Sequence, residues 1–106
     1  MALYGIYGRH EISDCPWNNE QTGKRVIQAS KADLGKILPK YKINAIKGQY
    51  HSGLEHTFLW ILDAEEPHLV QSWAVDNGMA KFNEVKIVPL ETFEGVVAGA
   101  KRLWEN

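Results

Sequence analysis

The sequence has little of several features that would narrow its function at once. Its single cysteine, Cys15, excludes a disulfide within the chain and gives no reason to expect an oxidising compartment. Its longest uninterrupted apolar run, Phe58 to Leu62, is far too short to cross a membrane. The first residues lack a basic segment followed by an apolar one, so no signal peptide is predicted. These absences predict a soluble, cytoplasmic protein without a membrane partner.

The sequence also lacks an excess of charge of either sign. Twelve basic and 13 acidic residues give a formal net charge of −1. Proteins that bind nucleic acid usually carry a basic excess or stripe, so a nucleic-acid partner is not expected. The 106 residues match the commonest domain size and predict one domain over residues 1–106.

The most apolar stretch, His56 to Ala64, is apolar on both faces when it is drawn as a strand. Alternate residues point to opposite faces, so Phe58, Trp60 and Leu62 face one side, and Leu59 and Ile61 face the other. Such a strand belongs in the middle of a sheet that is covered on both sides. Helices of this short chain can cover one face. We therefore expect a second subunit, a ligand or both on the other face, and a homodimer in particular.

The remaining patterns predict an α+β fold. Strands are expected at Leu3–Arg9, Lys42–Tyr50, His56–Ala64 and around Val85–Val88. Helices are expected over 20–38, ended by Pro39, from Glu65 or Pro67 to Asn77, and after Thr92. The order is βαββαβ with an extra C-terminal helix, as in the ferredoxin-like plan. That plan implies a four-stranded antiparallel sheet in the order 4-1-3-2, with both helices on one face.

Several short motifs carry a family resemblance that extends over nearly the whole chain. They are Gly8-Arg9-His10, Cys15-Pro16, Tyr50-His51, the stretch from His56 to Ala64, Val85–Pro89 and Thr92-Phe93-Glu94. With them the chain resembles a group of small, uncharacterised prokaryotic proteins of the dimeric α+β-barrel superfamily. The resemblance implies the ferredoxin-like fold and the dimer. That superfamily includes isomerases, monooxygenases, haem-degrading enzymes and stress-response proteins, so the resemblance implies no particular reaction and no cofactor.

The predicted topology brings three histidines and the cysteine to one end of the sheet. His10 ends the first strand, His51 ends the second, His56 begins the third, and the loop with Cys15 leaves from the same end. Imidazole and thiolate groups suit a transition metal ion, which makes these four residues candidate ligands. No short metal-binding motif supports that hypothesis.

Two further interpretations use the same end of the sheet. His10 or His56 is a candidate catalytic base, so an isomerase-like or monooxygenase-like enzyme is one alternative, with or without a metal. The other interpretation, which we favour from the sequence, is a binding protein for an apolar or amphipathic molecule such as a fatty or aromatic acid. Small residues among aromatic ones can leave an apolar pocket with polar groups at one end. The predicted lining comprises Tyr7, Arg9, His10, Tyr50, His51, His56, Phe58 and Trp60.

Overall fold

A computed structural model describes residues 2–105 of the protein. Four strands run over Ala2–Arg9 (β1), Ile43–Ser52 (β2), Thr57–Ala64 (β3) and Glu84–Leu90 (β4). Four α-helices run over Glu20–Ser30 (α1), Leu34–Ile37 (α2), Pro67–Asp76 (α3) and Phe93–Trp104 (α4). Short 3₁₀ turns lie at Ile12–Asp14, Leu38–Tyr41 and Met79–Lys81. Among the described residues, no helix is both long and apolar enough to span a membrane.

The strands form one antiparallel sheet with β3 and β1 in its centre. The order across the sheet is β2-β3-β1-β4, which is β4-β1-β3-β2 when it is counted from the other edge. In β1 and β3, Ala2 pairs with Ala64 and Arg9 with Thr57, so the two strands match over their whole length. The α+β class and the four-stranded antiparallel sheet predicted from the sequence are confirmed.

One face of the sheet carries the hydrophobic core. From the strands, the buried core contains Ile6, Ile43, Phe58, Leu62 and Ala64. Helix α3 packs Val70 and Trp73 onto these side chains, and Met79 follows from the next turn. Glu66 caps α3 by accepting a hydrogen bond from the amide of His68 at 3.1 Å, as expected for an acidic residue at a helix start.

The first helix differs from its prediction. The apolar stripe predicted over 20–38 belongs to two helices, because α1 ends at Ser30 and α2 begins only at Leu34. Only α2 and the turn after it reach the core, through Ile37, Leu38 and Tyr41. Val26 and Ile27 of α1 are 44% and 57% exposed. The expectation that this helix covers the sheet is therefore wrong for α1: its single buried residue is Thr22.

Aromatic rings occupy the space that three strand glycines leave free. A Cβ atom placed on Gly8 would lie 1.8 Å from the ring of Phe58, its partner on β3. Cβ atoms on Gly5 and Gly48 would lie 2.8 Å and 2.7 Å from the rings of Tyr7 and Tyr50. These rings lie flat over the backbone, which is possible only where the strand has no side chain. The small positions are thus filled by their aromatic neighbours and do not open an elongated channel.

We expect Gly8→Ala to destabilise the fold by about 1–3 kcal/mol, because the new methyl group overlaps the Phe58 ring in a packed core. Chemical denaturation of the purified variant measures this loss. Gly35→Ala is the control, since its Cβ would meet only Asp33 Oδ1, at an ordinary 3.5 Å. Equal stability of the two variants would contradict the packing of Phe58 on Gly8.

Candidate functional site

The pairing of β1 with β3 brings His10 and His56 together. His10 follows the last residue of β1, and His56 precedes the first residue of β3. The amide of His10 donates a hydrogen bond to the carbonyl of His56 at 3.0 Å, which extends the strand ladder by one step. The amide of His56 donates in turn to the carbonyl of Ser52, also at 3.0 Å, and closes the β2–β3 hairpin. Both histidines therefore sit on fixed backbone.

Cys15 reaches the same place from the loop between β1 and α1. Its amide donates to the carbonyl of Ile12, and its carbonyl accepts from the amides of Asn18 and Asn19. Asn19 also caps α1, since its side chain accepts from the amide of Thr22 at 3.0 Å. The Cys15 side chain is fully buried. These hydrogen bonds give the backbone of Cys15 a defined position.

His10, Cys15 and His56 form a cluster of three metal-ligating side chains, called the His-Cys cluster below. One nitrogen from each imidazole and the Cys15 sulfur all lie within 4.8 Å of one another. His10 and Cys15 are buried, and His56 is half-buried. Three of the four residues that the sequence suggested for a metal site are thus within reach of one ion.

The hydrogen bond of His10 to Asn83 decides which of its ring nitrogens is left without a partner. Its Nδ1 lies 2.7 Å from Asn83 Oδ1. The Asn83 amide is oriented by its Nδ2, which donates to the carbonyl of Met79 at 3.0 Å. Since Oδ1 can only accept, His10 must carry its proton on Nδ1, and in the neutral ring Nε2 then has a free lone pair. That Nε2 atom is buried and has no hydrogen-bond partner among the described residues.

The backbone of His56 has a conformation that is unfavourable for any residue with a side chain. Its φ angle is +59°, in the left-handed region that only a few per cent of residues other than glycine adopt. Its Nδ1 is buried and likewise has no hydrogen-bond partner in the part of the chain described. A backbone of this kind and an unpaired buried nitrogen each cost about 1–3 kcal/mol. Such costs are often concentrated at functional sites.

His51 stands beside the His-Cys cluster without being one of its three members. Its ring is stacked on that of His10, with the centroids 5.5 Å apart and the planes within 4°. Its side chain is exposed, in contrast to that of His10. Partial burial, and then the proximity of His10 and His56, lowers the pKa of His51 below its ordinary value. The His51 ring therefore has a reduced tendency to take up a proton.

A polar cleft leads from the surface to His10. Its volume is about 260 Å³. Three carboxylate side chains line it, those of Glu11, Asp14 and Glu84, with the cations Arg9 and Lys81. Asn83 lines the same cleft, so the residue that orients His10 also borders the route to it.

The remaining predicted binding residues do not surround this cluster. Tyr7, Arg9 and Tyr50 lie on the sheet face opposite the core, where they border a shallow concavity of about 550 Å³. His51 and Phe58 also line this concavity, and Trp60 does not. Trp60 instead packs on Trp73 in the core, with the ring centroids 5.5 Å apart. The predicted pocket residues are therefore divided between two faces of the sheet.

Asn83 is the residue of this site that the sequence did not reveal. It lies 73 positions after His10, between the Met79–Lys81 turn and β4, and no local motif marks it.

Searches against protein-family models, curated proteins and solved structures found no match. What the site can bind must therefore be inferred from the chemistry of its own residues.

In the metal-free protein, we expect the neutral form of the His10 ring to carry its proton on Nδ1, which is the less common tautomer of free histidine. Long-range ¹H–¹⁵N correlation spectra of the imidazole rings distinguish the two nitrogens. Asn83→Ala should shift the proton of His10 toward Nε2, and exposed His68 serves as the internal reference. A proton on Nε2 in the unsubstituted protein would contradict the assigned role of Asn83.

Proposed function

We propose that the chain binds one late first-row transition metal ion through His10 Nε2, Cys15 Sγ and His56 Nδ1. Two observations carry the proposal: one nitrogen of each imidazole lies within 4.8 Å of the buried Cys15 sulfur, and His10 Nε2 and His56 Nδ1 are buried without a hydrogen-bond partner among the described residues. Buried polar atoms are almost always hydrogen-bonded, so two unpaired nitrogens in one cluster call for a ligand. A cation that accepts their lone pairs satisfies both at once.

The donor set favours zinc or copper over calcium or magnesium. Two imidazoles and one thiolate are borderline-to-soft ligands, whereas calcium and magnesium select oxygen. Metal–nitrogen bonds of about 2.0–2.1 Å and a metal–sulfur bond of about 2.3 Å place tetrahedral ligand atoms roughly 3.3–3.6 Å apart. The three atoms need to approach by about 1 Å from their present spacing of up to 4.8 Å. Side-chain rotation of His56 and Cys15 is the simplest way to close that gap.

The surroundings of His10 resemble those of metal-binding histidines in general. Such a histidine usually donates its second ring N–H to an oxygen acceptor, which orients the ring and strengthens the ligand. Asn83 Oδ1 is in that position. The polar cleft carries three carboxylates against two cations, Arg9 and Lys81, so its charge favours the approach of a cation only slightly. With three protein ligands, the fourth position is free for water or substrate, and the ion would act there as a Lewis acid.

Titration of the apo protein with Zn²⁺ and, separately, Cu²⁺ by calorimetry should give one site per chain. Cys15→Ser and His56→Asn should each weaken binding by at least 100-fold, roughly the effect of losing one of three ligands. Co²⁺ and Cu²⁺ should produce thiolate charge-transfer absorption that Cys15→Ser abolishes. Because Cu²⁺ binds more tightly than Zn²⁺ at most nitrogen and sulfur sites, relative affinity does not identify the metal; the metal content of the protein as purified, measured by inductively coupled plasma mass spectrometry, does.

His56→Asn also separates a ligand from a structural residue. Asparagine tolerates the left-handed backbone better than histidine does, so the apo variant should be at least as stable as the original protein while it loses metal affinity. His68→Asn removes an exposed histidine far from the His-Cys cluster and should leave binding unchanged. Equal metal affinity of the original protein, Cys15→Ser and His56→Asn would refute the site.

A second candidate function is the binding of a small organic acid in the concavity on the opposite sheet face. The observation in its favour is the presence of Arg9 and Lys86 beside the rings of Tyr7 and Tyr50 in a space of about 550 Å³. A planar aromatic acid could stack on the tyrosines while its carboxylate meets the guanidinium. This candidate keeps the apolar-acid ligand suggested by the sequence but moves the polar end from His10 and His56 to Arg9.

Fluorescence titration with a naphthalene carboxylate tests this second candidate directly. We expect Arg9→Gln to weaken binding about tenfold, the effect of losing one charge-assisted hydrogen bond. His10→Gln should leave binding intact, because His10 lies on the core side of the sheet. A response to His10→Gln but not to Arg9→Gln would return the polar end to the histidines.

A further inference from the structure

Two large apolar surfaces of the chain have no partner among residues 2–105. The first is the sheet face opposite the core, called the open face below. Strand pairing places Gly48, Ile61, Gly5 and Val88 in one row across it, and Tyr50, Leu59, Tyr7 and Lys86 in the next. Because the tyrosine rings lie flat over the glycines, these rows form a broad and largely apolar surface. Tyr50 is 62% exposed there.

The second surface is one side of α4. Thr92 caps this helix by accepting from the amide of Gly95 at 3.0 Å, so it is a well-formed helix. Its apolar residues recur at three- and four-residue steps and form one stripe, which comprises Phe93, Val96, Val97, Ala100, Leu103 and Trp104. None of these residues is buried, and Phe93 and Trp104 are 81% and 85% exposed. The helix extends away from the sheet that precedes it.

The size of the exposed surface indicates how much a partner must cover. The chain exposes 7635 Å², whereas a compact monomer of 12.0 kDa exposes about 6,000 Å². Its radius of gyration is 16.0 Å, against about 13 Å for a compact domain of this length. The excess of about 1,600 Å² exceeds the roughly 800 Å² that each partner buries in a standard interface. A second copy of the chain offers an apolar helix α4 to cover the open face and an open face to cover α4.

We propose that the protein is a twofold-symmetric homodimer in which α4 of each subunit lies with its apolar stripe on the open face of the other. A twofold axis makes the contact reciprocal, so each chain gives one helix and receives one. The arrangement covers Leu59 and Ile61, the residues that make β3 apolar on its outer side. Neither surface includes a residue of the His-Cys cluster, so the proposal stands or falls separately from metal binding. It covers Tyr7 and Tyr50, so it competes with the binding of an organic acid in the concavity on the same face.

Sedimentation equilibrium on matched α4 variants tests the helix side of the contact. Ala100→Glu places a carboxylate in the middle of the stripe, whereas Ala98→Glu places the same group on the opposite side of the same helix. We expect a dimer for the original protein and for Ala98→Glu. Ala100→Glu should weaken the dimer at least about 100-fold, because it buries a charge against apolar side chains. A monomeric original protein, or equal dimerisation of the two variants, would overturn the proposal.

Mixing two defective variants tests whether the helix meets the partner's sheet. Leu59→Glu spoils the open face and should also give monomers; Tyr50→Glu serves if Leu59→Glu does not fold. A mixture of Ala100→Glu with Leu59→Glu should form a heterodimer, because one intact helix then meets one intact open face. Dimers of Leu59→Glu alone would indicate helix–helix pairing, and dimers of Ala100→Glu alone would indicate sheet–sheet pairing. Either of these results, or a mixture that stays monomeric, would refute the reciprocal contact.

Discussion

The antiparallel pairing of β1 with β3 is the constraint on which the rest of the structure depends. It matches the two strands residue for residue from Ala2 with Ala64 to Arg9 with Thr57. A shift by one residue would turn Ile6, Phe58 and Leu62 away from the core, so the register is strongly determined. The same register ends β1 and begins β3 at one level, which places His10 against His56. The hydrogen bonds between β1 and β3 thus position both the core and the candidate site.

Much of the fold follows from patterns that lie close together in the sequence. The alternation in His56–Ala64, the proline and acidic residues before α3, and Thr92 before α4 each act within one element, so the strands, α3 and α4 were predicted within a few residues. The single long helix over 20–38 was wrong, because an apolar stripe gives the period of a helix and not its continuity. The break between Ser30 and Leu34 carries no proline, and Val26 and Ile27 find no core to pack on.

The site was predictable only where topology alone positions its residues. Strand ends and a hairpin bring His10, His51 and His56 together, and these could be anticipated from the order of the elements. Asn83 acts through a single side-chain contact across 73 positions, which depends on how the Met79–Lys81 turn packs. The division of the polar residues between two faces could have been predicted from the strand period. Arg9 and His10 are neighbours in the chain, and adjacent strand residues point to opposite sides of a sheet, but the prediction placed both in one pocket.

Among the described residues, the His-Cys cluster has polar atoms without partners, and the open face and α4 have apolar side chains without partners. At the cluster, two buried nitrogens lack partners and His56 keeps an unfavourable backbone, which together cost the isolated chain several kcal/mol at about 1–3 kcal/mol each. At the open face and α4, apolar side chains stay exposed, and the excess of total exposed surface of the chain is the size of an interface. The free energy of unfolding of a domain is only about 5–15 kcal/mol, so neither of these two costs is small for a chain of 106 residues. A ligand that binds only the folded state adds its binding free energy to the stability of that state. A metal ion would remove the cost at the His-Cys cluster, and a second subunit would remove the cost at the open face and α4.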